Sequence, residues 1–467
     1  MIIQIKCLII NVLLLIAVGI PATAQRLSDR YFGISKQDFV DTIKIKMWDG
    51  AIVVPVEIEG KTKNLMFDTG AGTGFWIGNE EPWMKPMGES ITTRDAQNRT
   101  KKTAIMMIPS LKMGHLTIKN YPVVVDDGLS NFSCGIIDGA FGFDLVSKGI
   151  SFKFDTRDSL LIMTSRKGFF AKEEKRHAKV PYKVYGNVPF LWTKIPFAHP
   201  RMLFDMGAVG GWFSLPQDLL DLWAKDNPDI KRQLDSMTVN VDTTVMTYAG
   251  LFGASYDTVI NGELCFPTIE IGDIVLKEVW VSTATHSRAV GSALLEHVSL
   301  IIDAPKKSFY FLPHDGNPEI NVANRGSGLK FVPAEEGDTL GAMKTIVRKG
   351  TKAYEKGLRT GDYLISVDDT PIPDLCTYML LVRSGTTKRF VFRSPEGKSR
   401  RWIGSSYFFL NRIIRSSNHI LNQYPRLFPV LRVAGFVLQL ALFHERDADA
   451  EKQGGHRYRG QYQPVET

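Results

Sequence analysis

Cysteine is scarce in this chain, with four residues among 467. Cys7 lies in an apolar N-terminal stretch, and Cys134, Cys265 and Cys376 are far apart. That spacing offers neither a disulfide framework nor a Cys-x-x-Cys metal knuckle, so the three read as small buried apolar residues. The nine histidines are dispersed and no His-Glu-x-x-His occurs. His115, His286 and His297 therefore read as surface or internally satisfied side chains, and no metal or other cofactor is expected. Blocks of one charge are also missing. The formal net charge is +8, but Lys and Arg are scattered and no zinc-finger or recognition-helix pattern accompanies them, which argues against nucleic-acid binding. Gly70-x-Gly72-x-Gly74 has the wrong spacing for a phosphate-cradling loop and no Lys-Ser/Thr follows it.

Long apolar runs are confined to the two ends. Cys7 to Ile20 is apolar apart from Asn11, follows Lys6, and gives way to Pro21 and the small residues Ala22-Thr23-Ala24. This is the pattern of a secretory signal peptide over residues 1–24, which predicts export to a periplasmic or extracellular space. Near the other end, Tyr424 to Phe443 is apolar and aromatic but interrupted by Arg426 and Arg432. Its uninterrupted part is too short to span a bilayer, and an amphipathic segment that packs on the body or touches a membrane surface fits it. Residues 401–467 carry no further assignment. Between the ends, 44% hydrophobic and 23% charged residues describe a globular chain long enough for two or three domains.

What the sequence does contain is an internal duplication. Leu65-Met66-Phe67-Asp68-Thr69-Gly70-Ala71 returns as Met202-Leu203-Phe204-Asp205-Met206-Gly207-Ala208. Gly74-Phe75-Trp76 follows the first copy and Gly211-Trp212-Phe213 the second. Leu111-Lys112-Met113-Gly114 is matched by Ile269-Glu270-Ile271-Gly272, and each runs on into β-branched alternation at Val123-Val124-Val125 or Val279-Trp280-Val281. Each half then carries a Gly leading to a strand that ends in Asp, Gly142 to Asp155 and Gly291 to Asp303. Four landmarks in one order predict two copies of one all-β unit, over 50–165 and 180–313. The Lys/Arg/Glu-rich stretch 166–179 reads as an exposed connector. Pro216 to Lys231, with Leu219, Leu220, Leu222 and Trp223 on one face, reads as a single helix.

A duplicated Asp has a chemical use. Two carboxyl groups about 3 Å apart cannot both ionise, so one holds a proton and acts as acid while the other acts as base. Symmetry-related loops from two lobes supply such a pair, and the Gly after each Asp permits a tight turn and close backbone approach. A lone Asp-x-Gly marks many ordinary turns; the apolar strand before Asp68 and the second copy at Asp205 set this pair apart.

Residues 50–313 resemble the aspartic peptidase superfamily in its short-lobed, retropepsin-like form. Phe67-Asp68-Thr69-Gly70-Ala71 matches the family's active-site motif, and Ile136 to Leu145 resembles its second signature, with Val290 to Leu295 a looser counterpart. The resemblance implies a mainly β, two-lobed fold and hydrolysis of peptide bonds in peptide or protein substrates by Asp68 and Asp205. Thr69, Gly70, Met206 and Gly207 are then the loop residues that support them. A flap hairpin is expected between Ile91 and Met107, with Asp95-Ala96-Gln97-Asn98 as its tip. The chain departs from the family at Met206, where a hydroxyl residue is usual. Thr69 is thus expected to lack its partner across the lobes, and a non-catalytic, peptide-binding relative on the same fold stands as the alternative.

From residue 327 to 395 the pattern changes. A strand over Ala342 to Arg348, Ala353 before Gly357-Leu358, and Gly361-Asp362 opening a strand resemble a small α+β PDZ domain. The resemblance implies capture of a peptide C-terminus, with Gly328, Leu329, Lys330 and Phe331 standing where the binding loop would be.

Overall fold

The computed structural model describes residues 32–405 except 36–37, 49, 246–248, 255–257, 323–328, 335–341, 348–350 and 383–386. The N-terminal apolar segment, Gly328, and the tail from residue 406 lie outside these. The protein is mainly β, with two large sheets, a small two-stranded sheet and a separate six-stranded sheet.

The first half is built around the strand that ends at Asp68. Ala51–Ile58, rich in Val and Ile, turns at Glu59 and Gly60, both with positive φ, and pairs antiparallel with Lys61–Phe67. Alternation along the second strand sends Leu65 and Phe67 into the main core and Met66 into a smaller cluster on the opposite face. Gly139–Phe141 lies parallel beside it, with Phe141 opposite Phe67, and antiparallel to Gly74–Ile77 on its other side. Gly74–Ile77 in turn pairs parallel with Leu116–Asp126.

The second half repeats this pairing. Arg201–Phe204 has Ala289–Val290 parallel beside it, with Val290 opposite Phe204. Ala289–Val290 is antiparallel to Phe213–Ser214, which pairs parallel with Ile274–Ser282. The sequence duplication is thus a duplication of strand order and direction. A shared platform joins the halves: Ser151–Asp155 and Val298–Asp303 pair antiparallel, flanked by Leu160–Thr164 and Ser308–Pro313. The two central platform strands stand at equivalent places near the end of each repeat, so the pair marks the local two-fold relation.

Aromatic packing sets the height of both Asp loops above this platform. Phe67 meets Phe152 and Phe154 edge-on at 5.1 and 4.8 Å, while Phe204 meets Phe309 and Phe311 at 5.0 and 5.6 Å. All six rings are fully buried, and each contributes roughly 1.5–3 kcal/mol through burial alone.

Three expectations need correction. The predicted helix over 216–231 is two helices, Gln217–Ala224 and Pro228–Met237, because Asn227 caps the second by accepting from the N–H groups of Asp229 and Ile230, and Pro228 begins it. The charged connector is not wholly exposed. It contains the short helix Ala171–Glu174, Phe170 is buried, and the buried Glu174 carboxylate pairs with Lys306. Finally, Cys134 and Cys376 are not simply apolar filler. They form a disulfide across 242 residues, with Cα atoms 5.3 Å apart.

That disulfide fastens the last sheet to the first half. Leu329–Pro333, Met343–Val347, Tyr363–Val367, Thr387–Arg393 and Ser399–Ser405 lie in that spatial order, with Leu329–Pro333 at one edge. The sheet runs on to Ser405, past the boundary at 395 read from the sequence. Its own core contains Met343, Leu364, Phe390, Phe392 and Trp402. Helix Leu375–Val382 covers this core and carries Cys376.

Candidate active site

Each Asp sits at the C-terminal end of a core strand and is held by the same backbone pattern. The Asp68 N–H donates to Phe141 O at 2.9 Å, and the Asp205 N–H donates to Val290 O at 2.9 Å. Ala71 N–H returns to Asp68 O, and Ala208 N–H to Asp205 O, at 3.2 Å in both cases. The Gly70 N–H donates to Asp68 Oδ1 at 2.8 Å, and the Gly207 N–H to Asp205 Oδ1 at 2.8 Å. Behind the loops, Gly142 and Gly291 take equivalent places. A side chain at Gly142 would strike the backbone of Ala71 and Thr73, and one at Gly291 that of Ala208 and Gly211.

The two loops touch. Thr69 Oγ1 donates to Phe204 O at 2.6 Å and accepts from the Met206 N–H at 2.9 Å. The Asp68 carboxyl group lies against Gly207, the residue whose N–H binds Asp205, so little more than a backbone separates the two acids. Both carboxylates are buried in the wall between the halves, 3% and 4% exposed. The site residues expected from the sequence in the two halves, Asp68, Thr69, Gly70, Asp205, Met206 and Gly207, are brought together.

One expectation about them is overturned. Thr69 does not lack a partner, because the backbone at positions 204 and 206 satisfies its hydroxyl in both directions. A side chain without a hydroxyl at 206 leaves these bonds intact, and Met206 itself is 1% exposed within the main core. We predict that Thr69→Val, which keeps the shape, lowers stability by about 1–3 kcal/mol by leaving Phe204 O and Met206 N–H unpaired in a buried place. Urea denaturation of the parent and variant measures the difference.

Sequence reasoning missed the support behind the Asp68 loop. Tyr121 is fully buried, donates from its hydroxyl to Asp144 Oδ1 at 2.9 Å, and accepts from the Gly142 N–H at 3.2 Å. Thr73 Oγ1 donates to Asp144 Oδ2 at 3.2 Å. Burial pushes the Asp144 carboxyl up to about 7, against the hydrogen bonds from Tyr121 and Thr73 that favour its charge. The sequence signal was the presence of Asp144 in the Ile136–Leu145 segment, with nothing to pair it with Tyr121.

Glu296, at the end of the turn Ser292–Glu296 in the second half, is also pushed up to about 7, by burial alone. Both acids have ordinary values near 4, so the folded chain holds protons that the unfolded chain releases between about pH 4 and pH 7. Their contribution to stability is full below that window and is lost as pH rises through it. The chain should therefore be less stable at pH 8 than at pH 5, and Glu296→Gln should remove part of that difference. Denaturation midpoints of both proteins at the two pH values check this.

The expected hairpin is present, formed by Lys85–Arg94 and Thr100–Met113, with Asp95 to Arg99 at the tip. It does not stand alone. A corresponding hairpin of the second half, Thr238–Val245 with Thr258–Ile271, brings residues 249–254 against it. Arg99 holds Asp95 at 2.7 Å and donates to Gly253 O at 2.6 Å, and the Phe252 N–H donates to Asp95 Oδ2 at 3.4 Å. Beside them, Leu251 is fully buried with Ala71, Phe75 and Ala140, an apolar group that begins three residues after Asp68.

Leu329, Lys330 and Phe331 belong to the edge strand of the separate sheet, not to the Asp loops. Phe331 packs 4.5 Å from Tyr378 of helix Leu375–Val382. Among the described residues no group of three or more His, Cys, Asp or Glu side chains is arranged to hold a metal. No family model matches the chain, and no curated protein matches it.

Proposed function

We propose that the chain is an exported aspartic-type endopeptidase that hydrolyses peptide bonds with Asp68 and Asp205, and that its last sheet is a PDZ-like module for peptide recognition. One observation carries the proposal: two Asp loops with the same backbone bonding, related by a repeated strand order, meet through Thr69 and Gly207. Two carboxyls held this way are suited to act as one acid and one base. One accepts a proton from an attacking water while the other donates to the carbonyl oxygen of the scissile bond, and the buried surroundings strengthen both interactions. The edge strand Leu329–Pro333 is of the kind to which an extended peptide adds a further strand. A peptide-binding protein without hydrolysis is the second reading; it was raised by the missing hydroxyl at Met206, which the backbone bonds of Thr69 make unnecessary.

The test is direct. The purified chain lacking residues 1–24 is incubated with a mixed peptide library from acid to alkaline pH and new termini are counted by mass spectrometry. Cleavage that falls off as pH rises past the upper apparent pKa of the pair supports the assignment. A rate that climbs steadily into alkaline pH points to another nucleophile, and retention of peptides without cleavage points to the second reading.

A further inference from the structure

We infer that the Cys134–Cys376 disulfide is a redox latch that holds the last sheet against the apolar face beside the Asp68 loop, so that its reduction loosens the hairpin tip packed on that face. The inference concerns access to the site proposed above and rests on that function for its biological meaning, though not for its test.

Three segments from distant parts of the chain converge on one face of the first sheet. That face presents Met66, Ala71, Phe75, Val124 and Ala140, the residues that alternate with the main core. Leu129 and Ile137 cover it from the loop between Leu116–Asp126 and Gly139–Phe141, and Leu251 with Phe252 from the second-half hairpin. Met379 covers it from helix Leu375–Val382, and belongs at the same time to the apolar packing of the last sheet. Cys376 precedes Met379 by three residues, so the disulfide and the apolar contact project from the same side of the helix.

The other sulfur is equally well placed. Cys134 lies in the covering loop, between Leu129 and Ile137, in a left-handed conformation at φ 50°. This loop feeds Gly139–Phe141, the strand whose Phe141 O receives the Asp68 N–H. Gly128 in the same loop packs directly on the backbone of Leu251 to Gly253. The latch therefore reaches the hairpin tip through a single loop. Five buried apolar residues and two covering segments would keep some cohesion without it, but Met379 would lose the covalent tie one helical turn away.

Cys134 and Cys376 are half-buried, not sealed in the core, so a dithiol reductant can reach them. One reductant thiolate attacks a protein sulfur and forms a mixed disulfide, and the other protein sulfur leaves as a thiolate and takes up a proton. The second reductant thiol then releases the first protein sulfur. Two electrons pass to the protein, leaving two protein thiols and one oxidised reductant.

Backbone hydrogen exchange reads the latch without any need for hydrolysis. The intact chain with Cys265→Ser, to prevent thiol exchange, is compared before and after dithiothreitol, with cleavage of the disulfide verified by mass. Amides of 129–137 and 251–253 should exchange about tenfold faster or more after reduction, while Lys61–Phe67 stays protected. Cys376→Ser should give the fast pattern without reductant, and Met379→Ala should move in the same direction with the disulfide intact. Unchanged exchange at 251–253 in the fully reduced protein overturns the latch and leaves the bond a simple staple. A chain that shows the exchange change but never cleaves a peptide loses the proposed activity and keeps the latch.

Discussion

Asp68→Asn and Asp205→Asn are each expected to lower peptide hydrolysis by at least about 10²–10⁴-fold, the range that a positioned acid or base contributes, while leaving the fold intact. The fold survives because the hydrogen bonds that shape each loop go to an oxygen the amide retains. In the Asp205→Asn variant the side-chain Oδ1 still accepts from the Gly207 N–H, held at 2.8 Å in the parent, and in Asp68→Asn it still accepts from Gly70. The strand anchors to Phe141 O and Val290 O are backbone bonds and do not depend on the side chain. Activity is lost because an amide can neither share nor release the proton. The two variants should fail alike, and the double variant should be little worse than either, as befits groups that act as one unit. Circular dichroism and denaturation establish folding, and a fluorogenic peptide gives the rate. Parental turnover in either single variant would remove the dyad from the mechanism.

Much of this site was legible because the duplication is written in local sequence. A Leu-Met-Phe or Met-Leu-Phe strand, an Asp, and a Gly two residues on occur in both copies with the same backbone bonding, so the correspondence of Asp68 with Asp205 could be read from the repeat alone. The Thr69 bonding was misread for a physical reason. Side-chain identity at 206 is visible in the sequence, but the partner is the backbone N–H of 206, which every residue except proline supplies. Tyr121 and Asp144 were invisible for another reason. Their bond needs the two elements to be folded first, and although Asp144 falls in the Ile136–Leu145 signature, nothing in the sequence pairs it with Tyr121.

The fold shows the same division. Strand alternation follows from local pattern, and the hairpin tip expected at Asp95 to Asn98 stands there with one residue more, Asp95 to Arg99. The break at Asn227-Pro228 was also local, and reading the apolar face before the capping signal concealed it. The Cys134–Cys376 bond lies at the other extreme. With the partners separated by 242 positions, no spacing rule distinguishes it from two unrelated thiols, and the docking of helix Leu375–Val382 on the first half brings them together. Contact between the hairpin tips likewise depends on the two-fold arrangement of the halves.

Gly207→Ala is expected to abolish hydrolysis as completely as loss of an Asp and also to lower stability, whereas Gly211→Ala, four residues on, should do neither. A methyl group at 207 would overlap all three atoms of the Asp68 carboxyl group. A long, exposed side chain could swing away from such a clash at little cost. Asp68 cannot, since it is short, 3% exposed, and fixed by the Gly70 N–H at 2.8 Å and by its own N–H to Phe141 O. The clash must instead be relieved by separating the two loops, which stretches the bonds from Thr69 to Phe204 O and Met206 N–H. Overpacking of this kind costs about 1–3 kcal/mol, and the carboxyls lose the close approach that the proposed mechanism requires once the loops part. At Gly211 the nearest atom to an added methyl is Ala208 O at 3.4 Å, an ordinary contact, and no carboxyl lies in the way. The pair of variants thus separates a general dislike of side chains in this loop from a specific need for backbone contact with Asp68. Rates and denaturation midpoints for both decide the matter: an active, stable Gly207→Ala protein would mean that Asp68 does not rest on the second loop, and the shared-proton mechanism would fall with it.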